Sequence, residues 1–141
     1  MARTNAKRSL GLKALIKLSQ GKTTNEIVAA LKRRGFIPDS GAFKTVYKGT
    51  RWVVKFPWRT DCRLWKEEMR FSRSSDNPYI LNYAYIGKGY AIQKRITRCR
   101  DISKCRVYSI IHADNDLRGM TDLSHNHGHY RGKVYFYDYS H

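Results

Sequence analysis

Asp39-Ser-Gly-Ala-Phe-Lys-Thr-Val-Tyr-Lys-Gly49, continued by Thr50-Arg-Trp-Val-Val-Lys-Phe56, is the stretch whose reading decides the fold. Two runs rich in β-branched and aromatic residues, Phe43 to Tyr47 and Trp52 to Phe56, lie on either side of Gly49, and Gly41 sits at a bend. Side chains of this kind fit a pleated, half-buried surface, so the spacing predicts a hairpin turned at Gly49. A glycine at a bend lets backbone N–H groups approach an anion closely, and Lys55 stands on the second strand where its ammonium could meet the same anion.

Upstream of the hairpin, residues 1–8 carry Arg3, Lys7 and Arg8 without an apolar period and read as a basic arm. Ser9 to Ser19 has helical spacing at Leu12, Leu15 and Ile16. After Gly21-Lys22, Thr23-Thr-Asn-Glu26 has the capping-box spacing, ahead of Ile27, Val28 and Leu31, with Gly35 as the stop. These two helices, joined by Gln-Gly-Lys-Thr and ringed by Lys13, Lys17, Lys22, Lys32, Arg33 and Arg34, also fit a helix-turn-helix that reads DNA. Strand-like sequence after Gly35 leaves no third helix to brace a recognition helix. The favoured reading therefore packs both helices on the back of the sheet, with the basic side in solvent.

Downstream, Asp61 to Phe71 is predicted to be a helix. Leu64, Trp65, Met69 and Phe71 form its apolar arc, Glu68 falls near the middle of that arc, and Glu67 lies at its flank. An inward glutamate calls for a cation. Strands are expected at Tyr79 to Ile86 and Gly89 to Gln93, joined through Gly87-Lys88-Gly89. A helix is expected from Thr97 to Ile111. The final segment is polar around Asp122 and Asn126 and then strongly β-prone from Lys133, reaching Asp138.

At 141 residues the chain suits one domain burying about two thirds of its unfolded surface. A hydrophobic fraction of 41% argues for a folded protein, and a net charge of +17 forecasts attraction to nucleic acid, nucleotides or acidic proteins. Cys62, Cys99 and Cys105 are too sparse for a disulfide framework. With no signal-like apolar run and no membrane-length one, the expected setting is a reducing cytoplasm, without membrane association.

Three passages share a resemblance. Asp39 to Gly49 resembles the glycine-rich loop of protein kinases, keeping the middle glycine of G-x-G-x-x-G as Gly41. Val53-Val54-Lys55 resembles the V-A-I-K of their third strand. Asp122-Leu-Ser-His-Asn126-His-Gly128, followed by a strand and Asp138-Tyr-Ser, resembles the compact catalytic loop and D-[FY]-G motif of phage-encoded and small-molecule kinases. Asn126 follows Asp122 one residue sooner than in that family, and Ser140 stands in place of its glycine.

The resemblance implies a miniature protein-kinase-like domain over about residues 36–141, with residues 1–35 as a basic arm and helical hairpin. The fold it implies is α+β: an N-lobe antiparallel sheet with one inserted helix, followed by a truncated C-lobe. It implies ATP and Mg²⁺ as cofactors and an ATP-dependent phosphotransferase acting on protein Ser or Thr, phage-encoded and working in the host cytoplasm. Lys55 would clamp the phosphates and Glu68 would orient Lys55. Gly41, Lys44, Val46 and Gln93 would border the nucleotide, Asp122 would position the acceptor hydroxyl, and Asn126 and Asp138 would hold the metal.

Two alternatives remain open: a catalytically dead relative that binds and inhibits a host protein, and a DNA- or RNA-binding protein working through the basic helices. The alternating His125, His127 and His129, with His112 and His141, also raise a zinc site, against which no Cys pair with ligand spacing accompanies them. The Tyr-rich tail is read as a half-buried sheet face in preference to a base-stacking surface.

Overall fold

The structure, a computed structural model, describes residues 10–40, 43–59, 61–98, 104–120, 123, 126–131 and 133–139, with backbone only for 97, 98, 104 and 105. The chain divides into two compact units, one formed by Met1–Trp65 and Tyr83–Arg95, the other by Lys66–Asn82 and Ile96–His141. The sequence reading places a boundary after residue 35. The structure keeps the N-terminal helices with the sheet, because the apolar side chains of one cover those of the other.

In the first unit, α1 (Leu12–Ser19) and α2 (Thr24–Arg33) precede β1 (Ile37–Ser40), β2 (Lys44–Lys48), β3 (Trp52–Pro57), β4 (Tyr85–Gly87) and β5 (Tyr90–Lys94). The strands form one antiparallel sheet in the order β1-β2-β3-β5-β4. The α+β expectation holds in this form, and the hairpin of β2 and β3 lies where the sequence puts it.

Helix α2 begins at a complete capping box. The Thr23 hydroxyl accepts the Glu26 N–H at 3.2 Å, and the Glu26 carboxylate accepts the Thr23 N–H at 3.0 Å. It ends in a Schellman turn: Gly35 has φ 81°, its N–H donates to the Lys32 carbonyl, and the Phe36 N–H donates to that of Leu31. That turn delivers Phe36 into a core of Leu15, Ile27, Leu31, Tyr47, Val54, Phe56, Tyr90 and Ile92. Burying a side chain of this size contributes roughly 1.5–3 kcal/mol. The helices therefore lie on one face of the sheet, as the favoured sequence reading has them.

The Tyr90 hydroxyl ties the sheet to α1 through the Ser19 Oγ, 2.7 Å away. Gly87, in register with Tyr90, must lack a side chain, since a Cβ there would fall onto the Tyr90 ring.

Helix α3 (Arg63–Ser74) begins in the first unit and continues into the second, starting and ending slightly later than the sequence predicts. Its buried positions are Trp65, Glu68, Met69 and Ser72, one stripe at helical spacing, with Leu64 and Phe71 half-buried beside it. The second unit also holds β6 (Thr97–Arg98), α4 (Lys104–Ala113), α5 (Asn115–Arg118), β7 (His127–Tyr130) and β8 (Lys133–Phe136). Its strands pair in the order β6-β7-β8.

Two expectations change here. The strand expected from Tyr79 to Ile86 is in the main sheet only as β4, because Tyr79 to Leu81 pairs elsewhere: the Phe136 N–H donates to the Tyr79 carbonyl at 2.7 Å, and the Leu81 N–H donates to the Phe136 carbonyl at 3.0 Å. Where a helix is expected from Thr97, Thr97 and Arg98 instead form β6, in register with His129 and Gly128, and the described helix runs over Lys104–Ala113. Asp114 then caps α5 through the N–H groups of Asp116 and Leu117, and its carboxylate also receives the Asn77 side-chain amide at 3.0 and 3.1 Å. No helix among the described residues is long and apolar enough to cross a membrane.

Candidate functional site

The sheet of the first unit has two faces of different character. Partners in register point to the same side of an antiparallel sheet, and neighbours along a strand point to opposite sides. Val46 is in register with Lys55, and Lys55 with Ala91; Lys48 is in register with Val53, and Val53 with Gln93. Lys44 alternates with Val46, so Lys44, Val46, Lys55 and Gln93 share one face. Tyr47, Val54, Phe56 and Ile92 occupy the other, against α1 and α2. Four of the nucleotide-binding candidates are thus brought together on the face that the N-terminal helices leave alone. Gly41 lies outside the described residues.

Lys55 is 2% exposed. Its ammonium donates to the Tyr83 hydroxyl at 3.0 Å and lies 5.0 Å from the centre of the Tyr83 ring. Burial of an ammonium is unfavourable unless polar partners replace water, and Tyr83 supplies one such oxygen together with the negative face of its ring. The Lys44 ammonium, also on a buried side chain, lies 4.7 Å from the centre of the Phe43 ring. Two lysines and the Gln93 amide on one face make a surface that can neutralise and hydrogen-bond an anion.

The second unit carries the acidic set. Glu68 is buried, and its Oε1 accepts the backbone N–H of Tyr139 at 2.9 Å. The Tyr139 ring packs edge-on to Phe71 with centroids 5.7 Å apart, and its hydroxyl donates to the Leu81 carbonyl at 3.3 Å. Burial pushes this phenol far above the ordinary tyrosine range. A hydrogen bond with Ser72 works the other way, while the charges of Glu68 and Asp138 raise it further. Both carboxylates therefore bear on the same hydroxyl.

Asn126 enters β7 just as Asp138 leaves β8. The Asn126 carbonyl accepts the Tyr137 N–H at 3.1 Å, which puts the two metal-ligand candidates at the same end of the β7–β8 hairpin. An amide oxygen and a carboxylate are the donor types that magnesium takes, its remaining positions going to water and phosphate. Asp122, the candidate for positioning the acceptor, lies outside the described residues.

His125 and His141 also lie outside them. His127 and His129 share a face of β7, each with a buried Nδ1 that has no hydrogen-bond partner among the described residues. No group of three or more His, Cys, Asp or Glu suited to a metal occurs among the described residues.

Sequence reasoning passed over Tyr83, and it read Tyr139 only as part of the Asp138-Tyr-Ser motif and of a half-buried sheet face. Tyr139 had a signal, its place directly after Asp138. Tyr83 had none, because its partner is 28 positions away along the chain.

Comparison with protein-family models, with curated proteins and with solved structures finds no match.

Proposed function

We propose that the chain is an ATP-dependent phosphotransferase of the protein-kinase superfamily in minimal form, with protein Ser or Thr as acceptor. The observation that carries this reading is the shared face of Lys44, Val46, Lys55 and Gln93, on a sheet ordered β1-β2-β3-β5-β4 and backed on its other side by helices. It is supported by Asn126 and Asp138 meeting at one end of a hairpin, and by Glu68 buried at the middle of the α3 stripe.

In this reading Lys55 neutralises phosphate oxygens. Lys44, Val46 and Gln93 border the nucleotide, with Gly41 allowing the loop to approach it. Asp122 orients the acceptor hydroxyl, and Asn126 and Asp138 hold magnesium. When bound, magnesium would neutralise charge on the phosphates. Catalysis of this class rests on positioning and charge compensation, so removing one such group costs on the order of 10²-fold or more in rate.

The test is transfer of labelled γ-phosphate from ATP with Mg²⁺ to a peptide library rich in Ser and Thr. Transfer by the natural chain and its loss in Lys55→Ala and Asp138→Ala are the expected results. Equal transfer by either variant removes the mechanism. Nucleotide binding without any transfer would favour the alternative in which the chain binds a host protein and does not turn over.

A further inference from the structure

The charge of this chain is distributed very unevenly. The first unit contains 18 of the 28 Lys and Arg but only three of the 11 Asp and Glu, namely Glu26, Asp39 and Asp61. Of these, Glu26 is engaged in the α2 capping box, Asp39 pairs with Lys48, and Asp61 pairs with Arg59. Lys13, Lys17, Lys32, Arg33 and Arg34 on α1 and α2 are all exposed, and none has an ion-pair partner among the described residues.

Helix stability does not explain this placement. Cations help near a helix C-terminus, which accounts for Lys32, Arg33 and Arg34, but Lys13 sits in the first turn of α1, where a positive charge opposes the helix dipole. Lys13 and Lys17 are also like charges one turn apart. Arg51 adds to the same end: a Cβ at Gly11, the residue capping α1, would lie 3.8 Å from its Nη1. Arg95 is fixed beside Arg51, its N–H donating to the Arg51 carbonyl at 3.0 Å and its Nη1 to the Gly49 carbonyl at 2.6 Å. Both arginines are exposed.

We propose that the solvent face of α1 and α2, extended by Arg51 and Arg95, binds the phosphate backbone of nucleic acid without reading its sequence. The proposal is independent of phosphoryl transfer. A long, uniform polyanion needs only distributed cations. A protein partner or a membrane surface would need exposed apolar or aromatic anchors, and protein interfaces are depleted in lysine. The large apolar side chains of α1 and α2 point into the core, and the exposed large hydrophobic residues, Ile37, Trp58 and Tyr108, lie off these helices.

The test is fluorescence anisotropy of a labelled random-sequence DNA duplex over a series of salt concentrations. One variant carries Lys13→Gln, Lys17→Gln, Arg51→Gln and Arg95→Gln. A control removes equal charge from the second unit through Lys66→Gln, Arg70→Gln, Arg73→Gln and Lys133→Gln. Every substituted side chain is exposed, so the cores stay intact, and Lys13→Gln alone repeats the measurement with the smallest change.

The natural chain is expected to bind with a steep negative slope of log affinity against log salt. The slope should shallow by roughly 0.9 for each phosphate that the first variant no longer neutralises, and stay unchanged in the control. Absence of salt-dependent binding, or equal weakening in variant and control, overturns the proposal. So does competition by polyglutamate or by phosphatidylserine vesicles as effective as that by DNA at equal charge.

Discussion

Lys55 donates its ammonium to the Tyr83 hydroxyl at 3.0 Å, inside a sheet position that leaves the lysine 2% exposed. A charge held so far from water is stabilised by the oxygens around it, and the tyrosine is one that can be removed without changing shape. Tyr83→Phe is expected to destabilise the protein by about 1–3 kcal/mol, the range for withdrawing a partner from a buried charged group. A urea midpoint unchanged from that of the natural chain would show that Tyr83 contributes nothing to holding Lys55.

Tyr139 gives the pH dependence. Its phenol titrates above the ordinary tyrosine value in the folded chain, chiefly through burial. The folded state therefore favours the protonated hydroxyl. That preference leaves stability unaffected below the unfolded value of about 10 and makes it fall as pH rises beyond it. Tyr139→Phe is expected to lose the Leu81 hydrogen bond, about 0.5–1.5 kcal/mol at neutral pH, and to flatten the alkaline decline. Tyr90 is shifted the same way by burial, so the informative quantity is the difference between variant and natural chain in denaturation midpoints across pH 8 to 11. Parallel curves would contradict the assignment.

Gly35 and Gly87 are glycine for separate reasons. Gly35 has φ 81° at the end of α2, so Gly35→Ala is expected to cost roughly 1–2 kcal/mol, read as a lowered thermal midpoint. At Gly87 the obstacle is the Tyr90 ring, and Gly87→Ala should displace that ring and break its link to Ser19. The readout is tyrosine near-ultraviolet circular dichroism. A wild-type spectrum in Gly87→Ala would mean that the strand shifts to accommodate the methyl group.

What could be read from the chain was what local rules govern. The limits of α2 follow from Thr23, Glu26 and Gly35, the β2–β3 hairpin follows from its two β-prone runs about Gly49, and the buried place of Glu68 follows from helical spacing. What escaped was set by partners distant along the chain. Tyr79 to Leu81 looks like any β-prone run until Phe136 claims it. Thr97 and Arg98 become a strand only because β7 lies beside them. β1 is exposed along its whole length, so no alternation of polar and apolar residues marked it. For the candidate site, the resemblance named Lys44, Val46 and Lys55, and it is the β2–β3 register that sets them on one face. The Tyr83 partnership could not be inferred, because nothing local distinguishes this tyrosine from the other nine.

Calorimetric titration of ATP with Mg²⁺ into the natural chain and into Lys55→Met tests the central claim most directly. Methionine keeps an unbranched apolar stem and removes the charge, so the change isolates the ammonium. Saturable one-to-one binding by the natural chain, weakened at least about tenfold in Lys55→Met, equivalent to about 1.4 kcal/mol, is the expected result. Equal affinity in the two proteins, or no binding to the natural chain, would contradict it.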